Sequence, residues 1–272
     1  MRLERAEGFP AIGRPSLYWL GPAGFWIDTG AHLLLIDPYL SDSLARKYAG
    51  KAHPHTRMMP PPVSVAELPR PDMVLITHAH TDHMDPDTLG PLYHRFPDLP
   101  FVVPAAVEGI ARDRIGQGAD LRPVAAQDRL TPLPGLTMEV FAAAHETRQR
   151  DAEGRDRFLG YGLAVPAFRL YHSGDSIPFA ELDAQVQAFA PDVALLPVNG
   201  RDAARAAAGI PGNFTLEEAQ HLARECAFLV PHHFGMFDFN TLDTARIDAA
   251  AARSTHPRII RPVAGSHLRI TP

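Results

Sequence analysis

The chain has 272 residues, with 26 Lys and Arg against 31 Asp and Glu, and a formal net charge of −5 with histidine neutral. At about 150 residues per domain this is one large domain or two small ones, and 46% hydrophobic with 21% charged residues excludes global disorder. The mild acidity and the lack of a basic stripe argue against nucleic acid or an anionic membrane as a partner.

Residues 1–10 carry charge but no apolar segment of a secretory signal, and no apolar run approaches the roughly 18 residues of a membrane span. The expectation is a cytoplasmic protein without membrane insertion. Residues 33–36 read as a buried strand. The next stretch, 41–62, is irregular. It holds both lysines of the chain, Lys47 and Lys51, with Arg46, Arg57, His53 and His55, and closes on Pro60, Pro61 and Pro62. A long loop is expected there, and loops of this length are often functional. Residues 73–76, 101–103 and 137–143 read as strands, and 105–115 as a helix. A second irregular segment, 146–160, carries Arg148, Arg150, Arg155 and Arg157. Strands follow at 168–171, 193–196, 227–230 and 259–263, with helices at 179–189, 216–225 and 243–253. Thr215 with Glu218 forms a capping box at the start of the helix from Leu216. Cys226 is the only cysteine, which excludes an internal disulfide and any cysteine-cluster metal site. Strands alternating with helices predict an α/β architecture. No composition break divides the chain, so one domain over 1–272 is expected.

The 14 histidines need a cause. Directly after the strand at 73–76 comes Thr77-His78-Ala79-His80-Thr81-Asp82-His83, three imidazoles and a carboxylate in six positions. Imidazole and carboxylate together suit a borderline or hard divalent cation. Three more apolar runs end in residues of ligand type: His145, then His172-Ser173-Gly174-Asp175, then His232-His233. Sites built at strand ends on a rigid sheet are common.

The order Asp37, His78-x-His80-x-Asp82-His83, His145, Asp175, His233 resembles the metallo-β-lactamase superfamily of metallohydrolases. Within it the chain is similar to the L-ascorbate-6-phosphate lactonase-like group. Gly24-Phe25-Trp26, Asp37-Pro38-Tyr39-Leu40-Ser41-Asp42, Tyr171-His172-Ser173-Gly174-Asp175-Ser176, residues 196–202 and Gly212-Asn213-Phe214-Thr215 carry that similarity. The resemblance implies a four-layer αβ/βα sandwich and two divalent metal ions, Zn or Mn. It places His78, His80 and His145 on one ion and Asp82, His83 and His233 on the other. Asp175 would bridge the two, and Asp37 would orient the histidine motif. The last ligand is His232 or His233, and the spacing after Pro231 in relatives favours His233.

The chemistry implied is attack by an activated water on a lactone, ester or phosphodiester. Asp82 is the candidate to orient that water or take its proton, and His172 to protonate the leaving oxygen. Arg57, Arg148, Asn199, Arg201 and Asn213 are candidate substrate contacts, which suggests a small anionic, phosphorylated substrate. Helix-face charges such as Glu217, Glu218 and Arg224 read as solvated, and homo-oligomers are common among such relatives. Two other readings are an iron-dependent oxidoreductase of the same fold and a non-catalytic metal-binding protein.

Overall fold

A computed structural model describes residues 1–271. The chain divides into two compact units. The first is Met1–Val124 with Met236–Phe239 and the segment from Pro262 onward; the second is Ala125–Gly235 with Asn240–Arg261.

The first unit opens with strands β1 (Arg2–Glu7), β2 (Ser16–Gly21), β3 (Gly24–Asp28) and β4 (Leu33–Ile36), then helix α1 (Ser43–Lys47). It continues with β5 (Met73–Leu75), α2 (Pro86–Arg95), β6 (Pro100–Pro104), α3 (Glu108–Ile115) and β7 (Asp120–Val124). β4, β5, β6 and β7 run parallel, joined by crossovers that carry the helices. The apolar runs of β4, β5 and β6 (Leu34, Leu35, Ile36, Met73, Val74, Leu75, Phe101) are fully buried, as expected of strands covered on both faces, while the edge strand β7 is largely exposed. Leu89, Leu92, Ala111 and Ile115 from α2 and α3 pack with Leu35, Val74 and Phe101 in one cluster. Asp85 starts α2, accepting from the Asp87 amide with Pro86 following.

The second unit contains β8 (Arg129–Leu133), β9 (Leu136–Ala142), β10 (Leu159–Val165), β11 (Phe168–His172), α4 (Leu182–Phe189) and β12 (Val193–Pro197). α5 (Ala203–Ala207), α6 (Leu216–Leu222), β13 (Phe228–His232), α7 (Thr244–Arg253) and β14 (Arg258–Ile259) complete it. Its sheet runs β14-β13-β12-β11-β10-β9-β8, parallel from β11 to β14 and antiparallel from β8 to β11. α4 lies so close that a Cβ on Gly162 would come 2.8 Å from the Phe189 ring. The capping box of Thr215 and Glu218 is formed as expected. The last strand, β15 (Ser266–Thr271), returns to the first sheet, which runs β1-β15-β2-β3-β4-β5-β6-β7.

Two mixed sheets, each flanked by helices, match the four-layer αβ/βα sandwich. The expected loop at 41–62 contains one short helix, α1. The strand expected over 259–263 stops at Ile259, because Pro262 has no N–H to extend a ladder. Among the described residues, no helix is long and apolar enough to cross a membrane.

Candidate metal centre

In both units the chemistry gathers where parallel strands end, the usual ligand position of an α/β sheet. In the first unit Asp37 follows β4 and Thr77 and His78 follow β5. Asp37 is fully buried with φ of 42°, in the left-handed region that Asp tolerates better than most residues. Gly24 permits this turn, since a Cβ there would sit 2.8 Å from the Asp37 carbonyl oxygen.

Asp37 organises what surrounds it. The Thr77 amide donates to Oδ1 at 2.8 Å, and the Thr77 hydroxyl donates to Oδ2 at 2.5 Å. His83 Nδ1 lies 2.7 Å from the same Oδ2. A carboxylate only accepts, so His83 carries its proton on Nδ1 and a lone pair on Nε2. The hydroxyl proton of Thr77 is committed to Asp37, so its oxygen accepts from His78 Nδ1 at 3.0 Å. That places the lone pair of His78 on Nε2 as well. One ligand-type atom from each of Asp37, His78 and His83 lies within 4.8 Å of the others. Within that group both oxygens of Asp37 are engaged by Thr77 and His83.

Two sets of hydrogen bonds brace the loop. Arg114 on α3 donates to the carbonyls of Ala79 at 2.6 Å and Met84 at 3.1 Å. Asp85 accepts from Ser43 at 2.8 Å and Thr88 at 2.6 Å, and the Leu40 amide donates to Thr88 Oγ1 at 2.9 Å. Toward solvent, His80 is exposed, with its ring 4.7 Å from that of His78. Asp82 is partly exposed, with Oδ2 3.8 Å from His83 Nε2.

In the second unit Asp175 follows β11, His233 follows β13 and His145 lies three residues beyond β9. Ser176 accepts from the Ala144 amide at 3.1 Å, and the Ile177 amide donates to the Ala144 carbonyl at 2.8 Å. These bonds bring His145 to Asp175. His145 Nε2 is 3.7 Å from Asp175 Oδ2, and His233 Nε2 is 3.3 Å from the same oxygen. The structure therefore turns His233 to Asp175. His232 instead stacks on His172, with centroids 4.7 Å apart and planes 13° from parallel. His233 has φ of 60°, a second left-handed residue of the kind that clusters at functional sites. His145 Nδ1 faces the Gly212 carbonyl at 3.2 Å, which again fixes the proton on Nδ1 and the lone pair on Nε2.

The donor set fits a cation. His83 Nε2 faces Asp82 Oδ2, and His145 Nε2 faces Asp175 Oδ2. In each pair two acceptors point at one another with no proton between them, the arrangement a divalent ion satisfies. Neither set contains a thiolate, and burial pushes the Cys226 thiol up to about 12, that of an inert core residue.

The other expected residues sit differently. His172 is fully buried, and its Nδ1 accepts from the Gly174 amide at 3.0 Å. Arg148 grips Asp156 through Nε and Nη2 at 3.0 and 2.8 Å. The Arg57 side chain is buried and donates to the carbonyls of Met59, Tyr39 and Ser41. Arg201 forms a two-point bridge to Glu218, both bonds at 2.6 Å, and donates to the Asn213 carbonyl. Asn199 joins Asn213 and Asn240 in a buried chain of amides. The forks of Arg148 and Arg201 are thus held by acceptors of their own unit, whereas Arg57 donates through Nε and Nη1 and its buried Nη2 has no hydrogen-bond acceptor.

Arg201 shows the consequence. Its hydrogen bonds hold the Glu218 carboxyl below the ordinary carboxylate range. The pair therefore stabilises the fold above that range, and the contribution is lost as pH falls through the depressed value. Both groups are about one-third exposed, so Arg201→Met is expected to cost about 0.5–1 kcal/mol in denaturant melts near neutral pH. A KM rise confined to phosphorylated substrates would instead return Arg201 to the substrate.

The comparisons agree with this geometry. A family model described as the beta-lactamase superfamily domain matches residues 32–234. A UPF0173 metal-dependent hydrolase of Cupriavidus taiwanensis is 29% identical over 214 residues, covering 72% of this chain and 68% of that protein. An isothiocyanate hydrolase from Delia radicum gut bacteria has a similar structure, with a TM-score of 0.75 and 20% identity over 94% of this chain and 99% of that one. So has CmlA, a diiron β-hydroxylase from Streptomyces venezuelae, with a TM-score of 0.67 and 17% identity over 96% of this chain and 55% of that one. At such identities these structures share the fold alone. The family match spans both the histidine motif and the strand ends that carry His145, Asp175 and His233, and the chain belongs to the beta-lactamase superfamily.

Proposed function

We propose that the protein is a single-domain, metal-dependent hydrolase using two divalent ions, Zn or Mn. In this reading His78, His80 and His145 hold one ion, Asp82, His83 and His233 hold the other, and Asp175 serves both. The observation that carries it is the facing of imidazole lone pairs and carboxylate oxygens, with the tautomers fixed by Asp37 and Gly212. Such ions, when bound, supply an acidified water and Lewis-acid stabilisation of the oxygen that gains charge.

The chain's own residues do the rest. Asp82, the partly exposed carboxylate of the motif, orients the attacking water and accepts its proton. The leaving-group role expected of His172 does not suit a ring that is fully buried and already accepting from Gly174. Its part here is to hold the turn that carries Asp175. The substrate is a small lactone, ester or phosphodiester, in keeping with the resemblance to the lactonase-like group. Arg148 and Arg201 are engaged by Asp156 and Glu218, so neither offers a free fork to a phosphoryl oxygen. The setting is the cytoplasm, with no nucleic acid partner.

A second reading, an iron-dependent oxidoreductase, is favoured by the all-imidazole and carboxylate donor set together with the likeness to CmlA. Elemental analysis and a hydrolysis assay separate them. Bound Zn or Mn is expected, with hydrolysis of lactone or phosphodiester probes lost on chelation and restored by the ion. Iron with no hydrolysis supports the oxidoreductase, and bound metal with neither activity supports a binding protein.

A further inference from the structure

The segment between β12 and α6 meets a metal ligand at one point. The peptide that joins Gly212 to Asn213 is trans, and its two polar groups have different partners. Its N–H, on Asn213, donates to the Gly200 carbonyl at 3.1 Å, and its carbonyl, on Gly212, accepts from His145 Nδ1 at 3.2 Å. In a trans peptide these groups point in opposite directions, so holding the N–H on one side aims the carbonyl on the other. Gly212 fits there because it has no side chain: a Cβ would stand 2.2 Å from that of Arg201.

A chain of amides holds this peptide from behind, all of it within the second unit. Asn213 Nδ2 donates to Asn199 Oδ1 at 3.1 Å, and Asn199 Nδ2 donates to Asn240 Oδ1 at 2.8 Å. Arg205 Nη1 donates to the same Asn240 oxygen at 3.2 Å and to the Asn199 carbonyl at 2.9 Å, while Asp202 holds its Nε at 2.6 Å. An amide can face either way, but a guanidinium only donates. Arg205 therefore requires an oxygen at the Asn240 position, and the direction of each amide down the chain follows from that.

Asn199 and Asn213 are buried, and the main chain of Asn213 is held as well, its carbonyl accepting from Arg201 Nη1 at 3.0 Å. The chain ends on Asn213 Oδ1, which is buried with no donor. An acceptor stranded in this way lowers stability, which points to a role other than stability for the residue that carries it.

We infer that Asn240, Asn199 and Asn213 are positioning residues for His145. They hold the Gly212 carbonyl against Nδ1, so that Nε2 keeps its lone pair for a metal ion. The inference rests on the metal-centre reading. It gives Asn199 and Asn213, first expected to touch substrate, a task inside the protein instead.

Zinc affinity, measured by competition with a chelator dye, tests it. Asn213→Ala and Gly212→Ala are each expected to weaken zinc binding about tenfold, and Asn240→Leu, further along the chain, by less. Asn240→Asp is the rescue: a carboxylate oxygen still accepts from both Arg205 and Asn199, so wild-type affinity is expected. A second readout is the Nδ1 proton of His145, followed by NMR in zinc-loaded protein with labelled histidine. It is expected to exchange with solvent faster in the three weakened variants and at the wild-type rate in Asn240→Asp. Melting temperatures of the metal-free samples identify a variant that has failed to fold, and the remaining ones then decide. A purely structural network would lower the melting temperature and move neither readout. Wild-type affinity and exchange in folded Asn213→Ala and Asn240→Leu therefore overturn the inference, and so do equal losses in Asn240→Leu and Asn240→Asp. If the wild type binds neither zinc nor manganese, the metal-centre reading itself fails and this inference falls with it.

Discussion

Asp37→Asn is expected to lower metal affinity by about 10–100-fold while the fold survives. Asn tolerates the left-handed backbone at this position, so no strain is added. The amide cannot, however, accept at both atoms. If its oxygen takes the Thr77 amide, its NH2 faces the Thr77 hydroxyl and His83 Nδ1. His83 must then move its proton to Nε2, the atom needed for metal. The Thr77 oxygen now accepts from Asn, its own proton turns to His78 Nδ1, and His78 is forced into the same tautomer. If the amide flips, NH2 meets the Thr77 N–H and a buried bond is lost. One substitution thus disables two imidazoles that it leaves in place. Competition with a metal-sensitive chelator dye measures the affinity, and nitrogen chemical shifts of His78 and His83 report the tautomers. Wild-type affinity would remove Asp37 from the ligand-orienting role.

Much of this centre is visible in the chain because its parts are local. His78, His80, Asp82 and His83 crowd behind one apolar strand, and no other simple pattern explains three imidazoles there. The parallel strands β4, β5, β6, β12 and β13 were equally legible, since burial on both faces makes them continuous apolar runs, whereas the exposed edge strand β7 was not. Antiparallel strands such as β2 and β3 were not, because glycines and a charged end interrupt them. What stayed hidden depends on partners distant in sequence. The hydroxyl of Thr77 orients His78 only because Asp37, 40 residues earlier, claims its proton. The forks of Arg148 and Arg201 look available until Asp156 and Glu218 are found against them. Likewise, His53 and His55 look isolated in sequence until Phe237 and Phe239 are found against them. Residue type identifies which groups can bind a metal or an anion. Which of them are already occupied is decided by tertiary packing.

Asp175→Asn is expected to cut hydrolysis about a thousandfold while the metal-free protein melts no lower than wild type. Asp175 is buried, with the Nε2 atoms of His145 and His233 directed at one oxygen. Holding a carboxylate there carries a desolvation cost that a neutral amide largely avoids. The Asn NH2 can also donate to either Nε2, a bond the carboxylate cannot make. Without metal the substitution is therefore neutral or stabilising. With metal the balance reverses, because an amide is a far weaker ligand than a carboxylate. Removing it forfeits several kcal/mol of transition-state stabilisation, about three decades at 1.36 kcal/mol each. The stability that a bound ion adds, about 2.7 kcal/mol at a hundred times Kd, shrinks with affinity. Melting curves with excess metal and with chelator separate the two effects. Wild type is expected to show a wide gap between them and the variant almost none, with the chelated curves close together. A variant that melts far lower under chelation would make Asp175 a structural group. One that keeps the wild-type gap and turnover would remove it from the metal centre.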